Sequence, residues 1–260
     1  MTYSTLKFED NDQIATITLT RPEKRNAISA HMIEDLLRAL GEAENGTSRV
    51  VIITGSGKAF CAGMDLDDLS AIAAQPLEKN IEDSRKMARM FLGIHAFPKP
   101  VISAVNGAAI AGGCGIATLA DFTLAVPEAK FGYSEVRIGF IPALVSVFLR
   151  RQIGEKQATD LLLTGRIVDA PEALRMGLIT EVVGSDKLIA RAHELAGQLI
   201  AASPTSVART KRLLRQFDDA AIRAEIEIAI RENAEIRSTS DFQEGVASFL
   251  EKRAPKWTGR

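Results

Sequence analysis

Four stretches of the chain have the hydrophobic patterns of β-strands. Residues 13–20 alternate apolar and polar side chains before Arg21-Pro22 interrupts the pattern, which predicts a strand with one buried face. Residues 50–54 and 100–105 are apolar without alternation, and residues 121–126 are also largely apolar. Strands without alternation are typical of parallel sheets that helices cover on both faces, so these runs favour an α/β fold.

The segments between these strands have helical spacing. Ser29 is a suitable N-cap for a helix whose apolar positions include Met32 and Leu36. Residues 66–95 contain a second apolar stripe among charged residues, which predicts a surface helix, and residues 71–76 are expected to form a mobile loop near the functional site.

The pattern becomes wholly helical in the last part of the chain. From about residue 186 to 253 the apolar positions recur at helical spacing, and Ser203-Pro204 has the form of an N-cap followed by proline at the first helical position. The shift in composition near Ser203 predicts a core region over residues 1–202 and a helical region over residues 203–260. Exposed apolar faces on such helices would suit subunit association.

Composition and charge exclude several classes of function. The 260 residues carry 32 basic and 33 acidic side chains, a balance that gives no reason to expect nucleic acid or an anionic membrane as partner. No apolar run approaches the roughly 20 residues that span a bilayer, and the acidic start lacks a signal pattern. The expected location is therefore the cytoplasm, or an organelle matrix after processing. Two cysteines and three histidines without a ligand pattern predict no disulfide framework, no metal site and no Ser/His/Asp triad.

Two glycine-containing bends follow two of the apolar strands. The first is Ala59-Phe-Cys-Ala-Gly-Met-Asp65, and the second is Ala111-Gly-Gly-Cys-Gly115. A bend of this kind at the start of a helix presents backbone N–H groups that can bind an oxygen atom as it gains negative charge. Each bend by itself is equally compatible with a simple strand-to-helix connection.

Taken together in their order and spacing, the bends and several other motifs resemble the crotonase, or enoyl-CoA hydratase/isomerase, superfamily over nearly the whole chain. The motifs are Leu19-Thr-Arg-Pro-Glu-Lys-Arg-Asn-Ala27, the two bends, Lys99-Pro-Val-Ile-Ser-Ala-Val-Asn-Gly107, Ala120-Asp121, Glu135-Val-Arg-Ile-Gly139 with Ile141-Pro142, Leu163-Thr-Gly165 and Gly177-Leu178. The resemblance implies a spiral of ββα turns closed by a C-terminal helical trimerisation layer. It also implies a homotrimer or a hexamer built from two trimers.

The resemblance also implies the residues of the site. The backbone N–H groups of Met64 and Gly112 would hold the thioester oxygen of an acyl-CoA, and Glu135 would transfer protons as the family's second catalytic glutamate. Coenzyme A would contact the remaining residues, which belong to the two bends or lie near the chain's first strand and its C-terminus: Ala59, Cys61, Ala62, Gly63, Gly113, Arg25 and Lys252. No cofactor is implied beyond the CoA of the substrate.

One departure from the family pattern leaves the reaction open. Typical two-glutamate hydratases have their first glutamate where this chain has Gly115. The run Ser134–Ala143 resembles methylglutaconyl-CoA hydratases of leucine catabolism, which favours hydration of a 2,3-enoyl-CoA. A Δ3,Δ2-enoyl-CoA isomerase that uses Glu135 as a proton shuttle is the alternative, and a catalytically silent CoA-binding scaffold is the third.

Overall fold

The computed structural model describes residues 2–72 and 75–260. Its strands are β1 (Leu6–Asn11), β2 (Ile14–Leu19), β3 (Val50–Gly55), β4 (Ala59–Cys61), β5 (Val101–Val105), β6 (Ala108–Ile110), β7 (Phe122–Ala125), β8 (Lys130–Gly132), β9 (Ile167–Asp169) and β10 (Glu181–Val182). Its α-helices are α1 (Ala30–Asn45), α2 (Leu66–Ile72), α3 (Leu77–His95), α4 (Gly112–Thr118), α5 (Ala143–Ile153), α6 (Glu155–Thr164), α7 (Ala170–Arg175), α8 (Leu188–Ala201), α9 (Pro204–Gln216), α10 (Asp219–Glu235) and α11 (Ser240–Leu250). Three short 3-10 helices cover Pro22–Lys24, Glu135–Ile138 and Ile236–Ser238.

The strands predicted from apolar patterns form the larger sheet. Its six strands have the order β1-β2-β3-β5-β7-β10, and every neighbouring pair except β1 and β2 is parallel. All five residues of β5 and the first five of β3 are buried, as continuous apolar runs require. Helix α8 packs against β3, β5 and β7, so the centre of this sheet lies in the core.

A second sheet is built from strands that the sequence analysis did not predict. Strands β4, β6, β8 and β9 pair in that order, and each has only three residues. Strands β3, β5 and β7 each continue after a short turn into one strand of this second sheet, and helical segments follow. The repeated strand–strand–helix order is the expected spiral of ββα turns.

The helices confirm the local start signals. The Ser29 side chain accepts a hydrogen bond from the Met32 N–H at the start of α1, and the Ser203 side chain accepts one from the Ser206 N–H at the start of α9. The surface helix predicted within residues 66–95 is α3, and the shorter α2 precedes it. The loop expected over residues 71–76 begins within α2, because Ala71 and Ile72 are helical, and residues 73 and 74 lie outside the described residues.

The C-terminal helices are tied to the sheet. The Lys211 ammonium on α9 lies 2.5 Å from an Asp121 carboxylate oxygen, and the Arg215 guanidinium lies 2.9 Å from the other oxygen. Asp121 also accepts the Val101 N–H at the start of β5, so this carboxylate joins the sheet to α9. Ile222 and Ile226 of α10 belong to the main hydrophobic core. The boundary after residue 202 stays a prediction.

Among the described residues, no helix has both the length and the hydropathy needed to cross a membrane.

Candidate active site

The first glycine bend is held in place by the loop that follows β2. The Asn26 side chain donates hydrogen bonds to the carbonyl oxygens of Ser56 and Ala59, both at 2.9 Å. The Arg21 guanidinium lies 2.7 Å from a carboxylate oxygen of Asp65, a buried residue that directly precedes α2. A buried polar side chain needs such partners to offset its lost hydration. These bonds therefore explain why the sequence motif around Arg21 and Asn26 accompanies the bend.

The two bends lie against each other because the strands before them are paired. Strands β4 and β6 are parallel neighbours, so their carboxyl ends meet at one edge of the second sheet. A Cβ atom added to Gly63 would lie 3.0 Å from the Ile110 carbonyl oxygen, and one added to Gly113 would lie 2.2 Å from the Cys61 carbonyl oxygen. Only residues without a side chain permit this close approach.

Each bend contains a backbone N–H group that its own element does not use: that of Met64 in the first bend and that of Gly112 in the second. Gly112 is the first residue of α4, whose first turn has no preceding carbonyls to accept its N–H groups. In the parallel bridge between Ile28 and Met64, the Ile28 N–H donates to the Gly63 carbonyl oxygen, and the Asp65 N–H donates to the Ile28 carbonyl oxygen. Since alternate N–H groups of an extended chain point to opposite edges, the Met64 N–H points away from Ile28.

Glu135 begins a 3-10 helix beyond β8 and is buried with 8% exposure. Burial raises the pKa of its carboxyl group from 4.5 to about 7, and a hydrogen bond from its own backbone N–H partly offsets this shift. Among the described residues, its Oε2 atom has no hydrogen-bond partner. A carboxyl group with this pKa can both accept and donate a proton near neutral pH.

A cavity of about 340 Å³ brings these groups together. Its wall contains Glu135, Met64, Gly112 and Ala62 of the predicted site, together with apolar side chains such as Ile28 and Phe91. The cavity is therefore a mainly apolar pocket with one buried carboxyl group and the two bends. Its wall also includes charged side chains that are half-buried or exposed: Asp68, Lys79, Asp83 and Lys86. The catalytic roles of Glu135 and the two bends stay predictions at this point.

The other predicted contacts have different surroundings. Ala59 and Cys61 lie in β4 and are buried, while Gly63 and Gly113 form the contact between the bends. Arg25 and Lys252 are exposed, and neither belongs to the cavity wall that the described residues form. The roles of these six residues in binding CoA stay predictions.

The position of the missing first glutamate is packed with apolar side chains. A Cβ atom added to Gly115 would lie 2.8 Å from a Val145 methyl carbon and 3.0 Å from a ring carbon of Phe91. Such distances are shorter than van der Waals contact, so this site has no room for a second carboxylate without repacking.

The sequence analysis missed the part of the cavity wall that comes from the C-terminal helices. Asn233, Arg237 and Phe249 all line the cavity, although the sequence suggested only an oligomerisation layer for these helices. A signal was present, because Asn233 in α10 and Arg237 in the 3-10 helix after it continue, at helical spacing, the apolar stripe that begins at Ile222 and Ile226. Polar residues on a buried stripe are the informative exception to an apolar pattern.

Over residues 2–72 and 75–260, no group of three or more histidine, cysteine, aspartate or glutamate side chains is arranged to hold a metal ion.

Comparison with known proteins supports the fold and the motifs. The family model described as "Enoyl-CoA hydratase/isomerase" matches residues 9–260. A Thermus thermophilus protein classed by name with the enoyl-CoA hydratases is 42% identical over 250 residues, which cover 95% of this chain and 98% of that protein. The 2,3-dehydroadipyl-CoA hydratase of Escherichia coli is 33% identical over 250 residues, covering 95% and 96% of the two chains.

Solved structures agree with this result. The crystal structure of carnitinyl-CoA hydratase from Mycobacterium avium matches with a TM-score of 0.87 and 36% identity over 100% of both chains. An enoyl-CoA hydratase/isomerase structure from Xanthobacter autotrophicus matches with a TM-score of 0.89 and 30% identity over 97% of this chain and 98% of that one. The expected crotonase fold is thereby confirmed, and the chain belongs to the enoyl-CoA hydratase/isomerase family.

Proposed function

We propose that this protein is an enoyl-CoA hydratase, which adds water reversibly across the C2–C3 double bond of a 2,3-enoyl-CoA thioester. The observation that carries the proposal is the Glu135 carboxyl group, buried with an unpartnered oxygen and a pKa of about 7 in the cavity that both glycine bends line. The family membership and the names of the relatives above support the same reaction class.

In this mechanism backbone N–H groups stabilise the negative charge that develops on the thioester oxygen. The thioester oxygen lies between the N–H groups of Met64 and Gly112, which stabilise it as it becomes enolate-like during attack at C3. One well-placed donor of this kind contributes roughly 3 kcal/mol to the transition state. The side chain of Met64 takes no part in this step, so only the backbone geometry of the bends matters.

Glu135 moves the proton. As the carboxylate, it takes a proton from the attacking water while the hydroxyl oxygen bonds to C3. It then gives that proton to C2, which completes the addition and returns the carboxylate. A single residue can perform both steps when its pKa is close to the working pH. The reaction neither oxidises nor reduces the substrate, so we propose no cofactor beyond the CoA that the substrate carries.

Coenzyme A would extend from the thioester along the first bend. We propose that its adenine contacts the backbone near Ala59, Cys61 and Ala62. Arg25 and Lys252 would lie near its phosphates, because both side chains are exposed and can contact phosphate groups at the protein surface. The run Ser134–Ala143 favours a branched, methylglutaconyl-like acyl chain.

Isomerisation is the second candidate, and the packing around Gly115 favours it. Without repacking of Phe91 and Val145 there is no space for a second carboxylate at Gly115. Only Glu135, instead of two glutamates, can then position and activate the attacking water. A Δ3,Δ2-enoyl-CoA isomerase needs only one, because Glu135 would remove a proton from C2 and return it to C4.

Parallel spectrophotometric assays distinguish these functions. The native protein and Glu135→Gln are given crotonyl-CoA, 3-methylglutaconyl-CoA and a 3-enoyl-CoA. Hydration removes the absorbance of the conjugated thioester from the first two substrates, and the variant should lose that activity. A rise in absorbance with the 3-enoyl substrate alone would make the protein an isomerase, and no change with any substrate would leave a CoA-binding scaffold.

We also propose a homotrimer or a dimer of trimers. Its support is the group of large apolar side chains that are more than half exposed on α9, on α10 and just beyond α9: Leu213, Leu214, Phe217 and Ile228. A monomer in light scattering at micromolar concentration would contradict this assembly.

A further inference from the structure

Arg237 is a buried cation in the wall of the cavity that Glu135 also lines. It lies in the 3-10 helix Ile236–Ser238 that follows α10, and it is only 2% exposed. Its Nε donates to the Asn233 carbonyl oxygen, its Nη1 to Asn80 Oδ1, and its Nη2 to both Ser84 Oγ and Asn233 Oδ1. Among the described residues, these bonds use four of the five guanidinium N–H groups and leave one N–H on Nη1 without a partner.

None of these partners carries a charge. In the described part of the chain, no carboxylate oxygen forms an ion pair with Arg237, and Asp83 affects it only through the longer-range field. Burial lowers the pKa of the guanidinium to about 10, so it remains protonated at neutral pH. A buried charge without a counter-charge is costly, and arginine is almost never buried unless it is paired.

The surroundings of Arg237 also belong to the cavity. The guanidinium carbon lies 5.8 Å from the ring centroid of Phe140, and Phe140 and Asn233 line the same cavity as Glu135. The cavity therefore has a proton-transferring carboxyl group in one part of its wall and a fixed guanidinium in another. The Asn80, Ser84 and Asn233 bonds hold that guanidinium in one orientation, so its remaining Nη1 N–H can donate one charge-assisted hydrogen bond to a carboxylate oxygen.

We propose that the cavity takes 2,3-enoyl-CoA substrates whose acyl chain ends in a second carboxylate, and that Arg237 binds this terminal carboxylate. The inference rests on the proposed function, since it names the substrate class of the same site. A chain that ends in a methyl group leaves the guanidinium without a direct ion-pair partner, whereas a terminal carboxylate supplies one. Arg237 is in this view a specificity residue, while Glu135 performs the chemistry.

Binding of saturated thioesters tests the inference without requiring turnover. Isothermal titration calorimetry of the native protein compares adipyl-CoA with hexanoyl-CoA, which have six-carbon chains that end in a carboxylate and a methyl group. Glutaryl-CoA and pentanoyl-CoA form the five-carbon pair. The dissociation constant should be roughly ten- to hundredfold lower for the carboxylate member of at least one pair, the range expected for one hydrogen-bonded charge. Equal affinity within both pairs would overturn the inference.

Two variants separate recognition from a purely structural role. Arg237→Gln should abolish the preference, mainly through weaker binding of the carboxylate member, and Arg237→Lys should keep part of it. Arg85→Gln is the matched control, because Arg85 also joins α3 to α10, through Glu227, but is exposed and outside the cavity wall. The control should retain the native preference. If Arg237→Gln weakens both members of each pair equally, Arg237 only clamps the helices and the inference is wrong.

Turnover of the unsaturated pair, 2,3-dehydroadipyl-CoA and 2-hexenoyl-CoA, tests the proposed function separately. Hydration of both substrates at equal kcat/KM, with no binding preference, would support the hydratase function and contradict the role of Arg237. A binding preference without hydration of either substrate would support the role of Arg237 and contradict the hydratase function.

Discussion

Replacing Glu135 with glutamine should make the protein more stable at alkaline pH while it removes the proposed catalytic group. Burial raises the pKa of this carboxyl group from 4.5 to about 7, so the folded state binds its proton more tightly than the unfolded chain does. Between pH 4.5 and 7 the folded protein carries the extra proton, and its free energy of unfolding falls as the pH rises through that window. Below pH 4.5 both states are protonated and the cost disappears.

The magnitude follows from the two pKa values. One pKa unit corresponds to about 1.4 kcal/mol, so ionised Glu135 costs the folded state about 3 kcal/mol at pH 8 and less than about 1 kcal/mol at pH 5. Glutamine has nearly the same shape and does not ionise. The variant should therefore exceed the native protein in stability by about 2 to 3 kcal/mol more at pH 8 than at pH 5.

Urea unfolding at the two pH values, at one fixed protein concentration, measures this difference. Glu34→Gln is the control, because Glu34 is exposed on α1, and it should change the stability little at either pH. A stability advantage of Glu135→Gln that stays constant with pH, or that grows as the pH falls, would refute the assignment of a buried carboxyl group with a raised pKa.

Two further predictions concern activity. The proposed mechanism needs Glu135 as the carboxylate, so kcat/KM should rise with pH to a plateau above about 7 and be about a hundredfold lower at pH 5; a plateau that extends to pH 5 would contradict this role. Gly113→Ala should reduce kcat by about tenfold or more, because its Cβ atom would lie 2.2 Å from the Cys61 carbonyl oxygen and force the two bends apart. At Gly41 in α1, no described atom outside the adjacent backbone of the helix lies within 4 Å of an added Cβ, so Gly41→Ala should keep native activity and gain about 0.5–1 kcal/mol in stability. Equal kcat for the two variants would show that the contact between the bends is not needed.

Local signals predicted much of the secondary structure. Strand and N-cap formation depends on residues that are close in sequence. The sequence is therefore enough to predict the strands β3 and β5 and the N-caps Ser29 and Ser203. The three-residue strands β4, β6, β8 and β9 were missed because they are too short to form a pattern. Their existence depends on pairing with segments that are distant in sequence.

The sequence by itself determined the family, the two glycine bends and the position of Glu135, because these depend on residue type and spacing. Only the tertiary structure decided that Glu135 is buried, since α11 must pack against its 3-10 helix. That packing is close: a Cβ atom on Gly245 would lie 2.1 Å from the Ile138 carbonyl oxygen. Likewise, only the packing of α10 against α3 placed Arg237 in the cavity wall. Burial and charge environment arise from segments more than a hundred residues apart, so spacing along the chain cannot reveal them.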